Sequence, residues 1–187
     1  MRCTAELLDK TNYRDLTVID IARRAETSPA TFYQYFADVE AAVLELAKEL
    51  TTQGARLVSL INDSDWKSPR AAETLTDGFL DLWERNRPIL RVVDLATAEG
   101  DLRFQNIRTH LLNAVTEALR DVVADFKRQK QHPRDLDPMA HAATLVSMLA
   151  HVAAHRYGFE FWGIRLEKIR ESVARIVFAS VTGNSAP

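Results

Sequence analysis

Cys3 is the only cysteine in the chain. One thiol cannot build an internal disulfide framework, and on a helix it usually serves as a small buried residue. That usage suits a reducing compartment, and the protein is expected in the cytoplasm. Glycine and proline are also scarce, six of each in 187 residues, which excludes collagen-like and low-complexity tracts. No apolar run reaches the roughly 20 residues that cross a bilayer, and the N-terminus lacks a signal-peptide core, so no membrane partner is expected. Positive charge is not in excess: the net charge is −2, and residues 1–50 carry six Lys/Arg against nine Asp/Glu. A broadly basic nucleic-acid surface is therefore missing. There is no glycine-rich phosphate loop and no nucleophile elbow, so nothing supports catalysis, and no cofactor is expected.

What remains is helix. Apolar residues recur at helical spacing almost throughout, with neither a strand pattern nor an internal repeat. Residues 1–10 form a first helix with Leu7 and Leu8 inward, and Tyr13 plugs the small domain that follows. Asp38 caps a long helix to about Ile61, with Val43, Leu46, Leu50, Leu57 and Ile61 inward. Ser68-Pro69 opens a helix carrying Leu75, Phe79, Leu82 and Trp83, and Pro88 starts a separate short one to about Ala98. Gly100 breaks the chain before a helix from Asp101 to about Lys130, its inner face Phe104, Ile107, Leu111, Val115, Leu119, Val122 and Phe126. After a loop at 129–137, Asp137-Pro138 caps a helix that is apolar nearly all round. Leu166 to Val181 is the last helix, stopped by Gly183.

Thr17 to Phe36 is organised differently from the rest. Thr17 can cap a short helix, with Asp20 as a short relative of the capping-box acid, and Val18, Ile21, Ala22 and Ala25 share its inner face. Glu26-Thr27 makes a turn. Ser28 is a second N-cap and Pro29 stands at the first helical position, where its missing N–H costs nothing. Phe32 and Phe36, four apart, face inward, while Thr31, Tyr33, Gln34 and Tyr35 offer hydroxyls, phenols and an amide outward. So short a helix is unstable alone in water and must be clamped from behind. Two capped short helices joined by a turn of about three residues have the dimensions of a helix-turn-helix, and polar tips on a rigid rod suit a major groove. A short connecting helix with surface tyrosines would read the same way.

Leu7-Leu8, Tyr13, Thr17-Val18, Asp20-Ile21-Ala22, Ala25, Ser28, Thr31-Phe32-Tyr33, Tyr35-Phe36, Glu40 and Leu44 together make residues 5–47 resemble the N-terminal domain of the TetR family of transcriptional regulators. Over the other three-quarters of the chain the resemblance is one of architecture. It implies an all-α fold of about nine helices, a three-helix DNA-binding head (1–48) on a six-helix ligand-binding and dimerisation body (49–187). It also implies that Thr17, Thr27, Ser28, Pro29, Ala30, Thr31, Tyr33, Gln34 and Tyr35 lie at the DNA, Gln34 being suited to an adenine edge and Thr17, Tyr33 and Tyr35 to phosphates. Three departures stand out. Glu26 replaces a usual glycine, so the turn needs a strained backbone or another shape. Asn12 replaces another glycine, and Val39 replaces a lysine that would meet a phosphate. The family's basic N-terminal arm is expected to be missing, because the sequence begins already inside the first helix.

In the body, Phe79, Trp83, Val93, Phe104, Ile107, Leu111, Met148, Val152, Phe159 and Trp162 form an aromatic and aliphatic set that, with His155 as an orienting group, could line a cavity for a small apolar or amphipathic effector. Each of them alone reads equally as ordinary core. His151 and His155, four apart, could hold a metal, but no third ligand accompanies them and none is assigned. The last two helices are expected to form a homodimer interface through His141, Leu145, Ile169, Val173, Ile176 and Val177, pairing two heads on double-stranded DNA at a pseudo-palindromic operator. The reading is a ligand-responsive regulator, a repressor released by a hydrophobic small molecule. The alternatives are a helical hydrophobe-binding protein whose head has lost DNA binding and, more remotely, a metal-dependent enzyme.

Overall fold

The computed structural model describes residues 2–184. Met1, where the first helix was expected to begin, lies outside them. Within that range the chain forms α1 (Arg2–Leu8), a 3₁₀ turn (Tyr13–Asp15), α2 (Val18–Arg24), α3 (Pro29–Tyr33), α4 (Val39–Asn62), α5 (Arg70–Ala98), α6 (Leu102–Arg128), α7 (Pro138–Phe161) and α8 (Leu166–Thr182). Among the described residues there is no strand, and no helix is long and apolar enough to cross a membrane.

Eight α-helices form instead of nine because α5 runs through Pro88. Proline there removes the amide that would bond the Glu84 carbonyl, ordinarily reason enough to end a helix. Burial on both sides outweighs that loss: Leu82 and Trp83 precede the proline, Ile89, Leu90, Val92 and Val93 follow it, and all six are buried.

The chain falls into two compact units, residues 1–52 with 86–110, and residues 53–85 with 111–187. Helices α4, α5 and α6 contribute to both. The expected linear division at 48/49 places 86–110 with the body, whereas this segment groups with the head. The first unit buries Leu8, Leu16, Ile21, Phe32, Val43 and Leu46 along with Val93 and Phe104.

In the second unit, α7 turns Ala142, Leu145, Val146, Leu149, Ala150 and Ala153 inward, and α8 contributes Ile169, Val173, Val177, Phe178 and Val181. Trp66 donates its indole N–H to the Ile61 carbonyl (3.0 Å), satisfying one of the unpaired acceptors at the end of α4. Gly183 closes α8 at φ 75, and a Cβ there would lie 2.1 Å from the Gln131 carbonyl oxygen, so only glycine fits.

Three positions depart from the expected register. Val122 is half-buried and Val123 takes the inner position, Leu95 is exposed, and Ala25 is an exposed C-cap instead of a core residue. Each lies in the last turns of its helix, where a small drift in periodicity carries a side chain off the buried face.

Candidate functional site

The head is assembled from its caps. Thr17 accepts the Asp20 amide (3.2 Å) while the Asp20 carboxylate accepts the Thr17 amide (3.3 Å), a reciprocal capping box. The Thr17 hydroxyl also donates to that carboxylate and holds its pKa below the ordinary value. Behind it, Arg24 donates to Glu6 and ties α2 to α1.

The turn then closes on Glu26, whose φ is +53. The Thr27 amide reaches back to the Ala22 carbonyl (2.9 Å), the long bond of a Schellman closure, which places Glu26 where glycine normally sits. Of the two outcomes open for this position, a strained backbone is the one adopted. Asn12, by contrast, is extended (φ −59, ψ 140) and needs no left-handed backbone. Val39 opens α4 half-buried, while Asp38 caps it through the Ala41 amide (2.7 Å).

Helix α3 is only five residues long. Ser28 accepts the Thr31 amide (3.1 Å), Pro29 occupies the first helical position, and Phe32 is 6% exposed with its ring 5.4 Å from that of Phe36. The nine residues singled out from the sequence lie on and around this helix, with Thr17 apart from the others at the start of α2. Thr17, Thr27, Ser28, Pro29, Ala30 and Gln34 are exposed, Tyr33 and Tyr35 are 59% and 75% exposed, and Thr31 is half-buried with its hydroxyl 3.0 Å from that of Ser28. Gln34 and Tyr35 stand just past the helix, Gln34 as its C-cap. One rigid piece thus presents hydroxyl, phenol and amide groups with no charge on the helix itself.

Sequence reasoning missed a polar cluster in the same compact unit. Arg103 forms ion pairs with Asp101 (2.7 Å) and with Glu40 in the first turn of α4, and Arg14 pairs with Glu99. The Tyr13 phenol is pushed up to about 12, first by burial and then by the carboxylates of Glu40, Asp38 and Asp101. Hydrogen bonds from Arg103 hold the Asp101 carboxyl well below the usual carboxylate range. Residues sixty-three apart gave no sign of this in the sequence, because only the fold brings 99–103 to the head.

The body residues divide. Phe79, Trp83 and Leu111 are buried in the second unit, the two rings stacked at 6.4 Å, whereas Val93, Phe104 and Ile107 are buried residues of the first. Phe79 and Val152 pack around a narrow seam with Leu149, Ile169, Val173 and Arg170 that leaves no room for even a water molecule. Met148, Val152 and Phe159 are half-buried. His155 is exposed, and Trp162, the C-cap of α7, is 73% exposed with its ring edge-on to Phe159 at 6.3 Å. Both therefore stand on the surface instead of in an enclosed lining, because α7 turns this side outward as it ends. The rings of His151 and His155 stack face to face at 4.2 Å, so their nitrogens do not converge on one point, and no cluster of three or more metal-ligating groups occurs among the described residues.

Most of the residues expected at a dimer interface are buried within the chain itself. Leu145, Ile169, Val173 and Val177 are buried within the chain, and His141 is turned to the Ser180 carbonyl (2.8 Å). Only Ile176 is open, at 48%. Those residues are the apolar faces that pack α7 against α8. The outward faces are instead Ala140, Thr144, Ser147, His151 and His155 on α7, and Ser172, Arg175 and Ile176 on α8.

Residues 2–50 match the profile of bacterial regulatory proteins of the tetR family, and residues 57–187 match that of a tetracyclin repressor-like C-terminal domain. The fold is similar to that of the transcriptional regulator FadR from Bacillus subtilis, solved with stearoyl-CoA (TM-score 0.73, 15% identity, 96% of each chain). It is similar to the fatty acid degradation regulator FadR from Bacillus halodurans (TM-score 0.72, 15% identity, 95% of this chain and 91% of that one). It also resembles Thermus thermophilus FadR, a TetR-family repressor solved with lauroyl-CoA (TM-score 0.59, 19% identity, 100% and 95%). No curated protein matches the chain in sequence.

Proposed function

The chain belongs to the TetR family of bacterial regulatory proteins, and from that premise we propose a cytoplasmic repressor whose head (1–48), with residues 86–110 packed into the same compact unit, reads an operator and whose remaining body within 49–187 binds an effector and dimerises. One observation carries the reading: α3 is clamped from behind by Phe32 while Tyr33, Gln34 and Tyr35 stay open to a partner. A buried-side anchor with an uncharged, hydrogen-bonding outer side suits base edges and phosphates in a major groove. Two such heads, one helical turn of DNA apart, fit a pseudo-palindrome.

The homodimer is assigned to the outward faces of α7 and α8. Small residues line α7 there, and Ile176 supplies an apolar centre on α8, a combination that lets helices approach closely across a two-fold axis. The effector is assigned to the apolar class, an acyl chain or its thioester. The fatty-acyl ligands of similarly folded regulators support this class, as does a body core built from Phe79, Trp83 and Leu111. Such a ligand acts only through its different affinity for the DNA-competent and released arrangements. Acidic residues outnumber basic ones in the head, which favours one alternative, a hydrophobe-binding protein that no longer reads DNA.

Titrating the purified chain onto duplex DNA from upstream of its own gene, across a salt series, separates the two. The repressor reading expects saturable binding that weakens steeply with salt and is reversed by stearoyl-CoA. Binding no tighter than to unrelated duplex, alongside intact uptake of the acyl thioester, would establish the alternative.

A further inference from the structure

We infer that Arg103 and Arg14 are positioning residues for the DNA reader, fastening the tip between α5 and α6 to the head through Glu40 and Glu99. The inference rests on the DNA-reading assignment above and adds to it the means by which the reader is held.

The tip is residues 99–101, and its shape is set locally. Gly100 turns at φ 90, and the Asp101 amide bonds back to the Ala96 carbonyl (2.9 Å). Asp101 then accepts the Arg103 amide (2.9 Å) and both Nε and an Nη of its guanidinium (3.2 and 2.7 Å). Held by two bonds to one carboxylate, with the backbone amide making a third, the guanidinium has little freedom left, and the Nη that bonds Asp101 also donates to Glu40. A planar fork with several donors can serve two acids at once in this way, which a lysine cannot do.

Glu40 is the second residue of α4, and only residues 34–38 separate α4 from the end of α3. A shift of Arg103 is therefore passed to the start of α4 and across one short connection to the reader. On the other side, Arg14 in the 3₁₀ turn pairs with Glu99. Tyr13, the neighbour of Arg14 in that turn, has its pKa raised to about 12 by burial and then by the charges of Glu40, Asp38 and Asp101, so its phenol stays neutral over the physiological range.

The position of this joint in the chain gives it a purpose. Helices α5 and α6 both run from the second unit into the first and meet at this tip. A displacement of either helix arrives at Arg103 or Glu99 before it reaches any DNA-facing residue. Both pairs are largely exposed, so each shifts an equilibrium only about two- to fivefold and is screened by salt. A joint of that strength holds the reader yet yields to a modest change in the body.

The test is amide hydrogen exchange on the full-length protein, with thermal melting and DNA affinity measured on the same samples. Arg103→Met is expected to speed exchange about two- to fivefold in the first turns of both α4 and α6, and to leave α7 and α8 unchanged. Glu40→Gln should have the same effect, and adding it to Arg103→Met should bring little more. Arg14→Glu should loosen the 3₁₀ turn and the tip, and combining it with Glu99→Arg should restore protection. DNA binding should weaken about two- to fivefold in the single variants and recover in the Arg14→Glu/Glu99→Arg pair. Unchanged exchange in α4 with Arg103→Met, uniform acceleration through the whole chain, or failure of the reversed pair to recover would each overturn the inference. A wild-type protein that binds no duplex at low salt fails the repressor reading itself, a result that the exchange pattern cannot mimic.

Discussion

Helices α3 and α7 start with the same device and come to opposite ends. Each has a side-chain cap followed at once by proline, Ser28-Pro29 in one and Asp137-Pro138 in the other. Helix α7 then runs for 24 residues and buries six of them, so packing stabilises it along its whole length. Helix α3 stops after five and buries only Phe32. A cap fixes where a helix begins, whereas buried surface decides whether it persists. The helix with the smaller buried share is the one whose outer side stays exposed.

The comparison breaks most visibly at Phe32. Phe32→Ala is expected to cost about 3–5 kcal/mol, measured by denaturant unfolding, and to abolish DNA binding while the α7–α8 pair keeps its helicity. A loss below about 1 kcal/mol would mean that α3 is not held from behind. Next in size is Gln34→Ala, expected to lower operator affinity by about 1–3 kcal/mol with little change in melting temperature, since the side chain is an exposed C-cap. In α7 the matching probe is Asp137→Ala. It removes the acceptor of the Met139 and Ala140 amides (2.8 and 3.2 Å) and should cost about 1 kcal/mol of stability without touching DNA affinity. Glu26→Gly works in the opposite direction. Relieving a positive φ should add roughly 0.5–1 kcal/mol in thermal unfolding, and removing a carboxylate beside the reader should tighten DNA binding. An unchanged melting temperature would mean that Glu26 bears no strain.

Most helix starts were legible because caps are local: Thr17, Ser28, Asp38 and Asp137 each bond the amides that their spacing implies. The exposure of Tyr33, Gln34 and Tyr35 was legible for the same reason, since Phe32 and Phe36 mark the inner side and whatever lies between them must face out. Three features were not legible. Pro88 read as a boundary, because the buried residues on both sides that hold α5 together act through tertiary contacts. The stripe of Ile169, Val173 and Val177 read as an interface, because periodicity gives an apolar face but not its partner, and α7 of the same chain satisfies it. The ion pairs of Arg14 and Arg103 join residues far apart in sequence, and nothing in local composition distinguishes them from solvated charges. The aromatic set of the body was recognisable as apolar, but periodicity cannot tell a lining from a filling.

Pro88 has a mechanical consequence. With no amide at that position, one rung of the α5 ladder is absent at the Glu84 carbonyl, next to the point where the chain passes from one compact unit into the other. A rod with one missing rung bends there more readily than elsewhere. Substituting alanine would restore the rung and stiffen the helix at that turn.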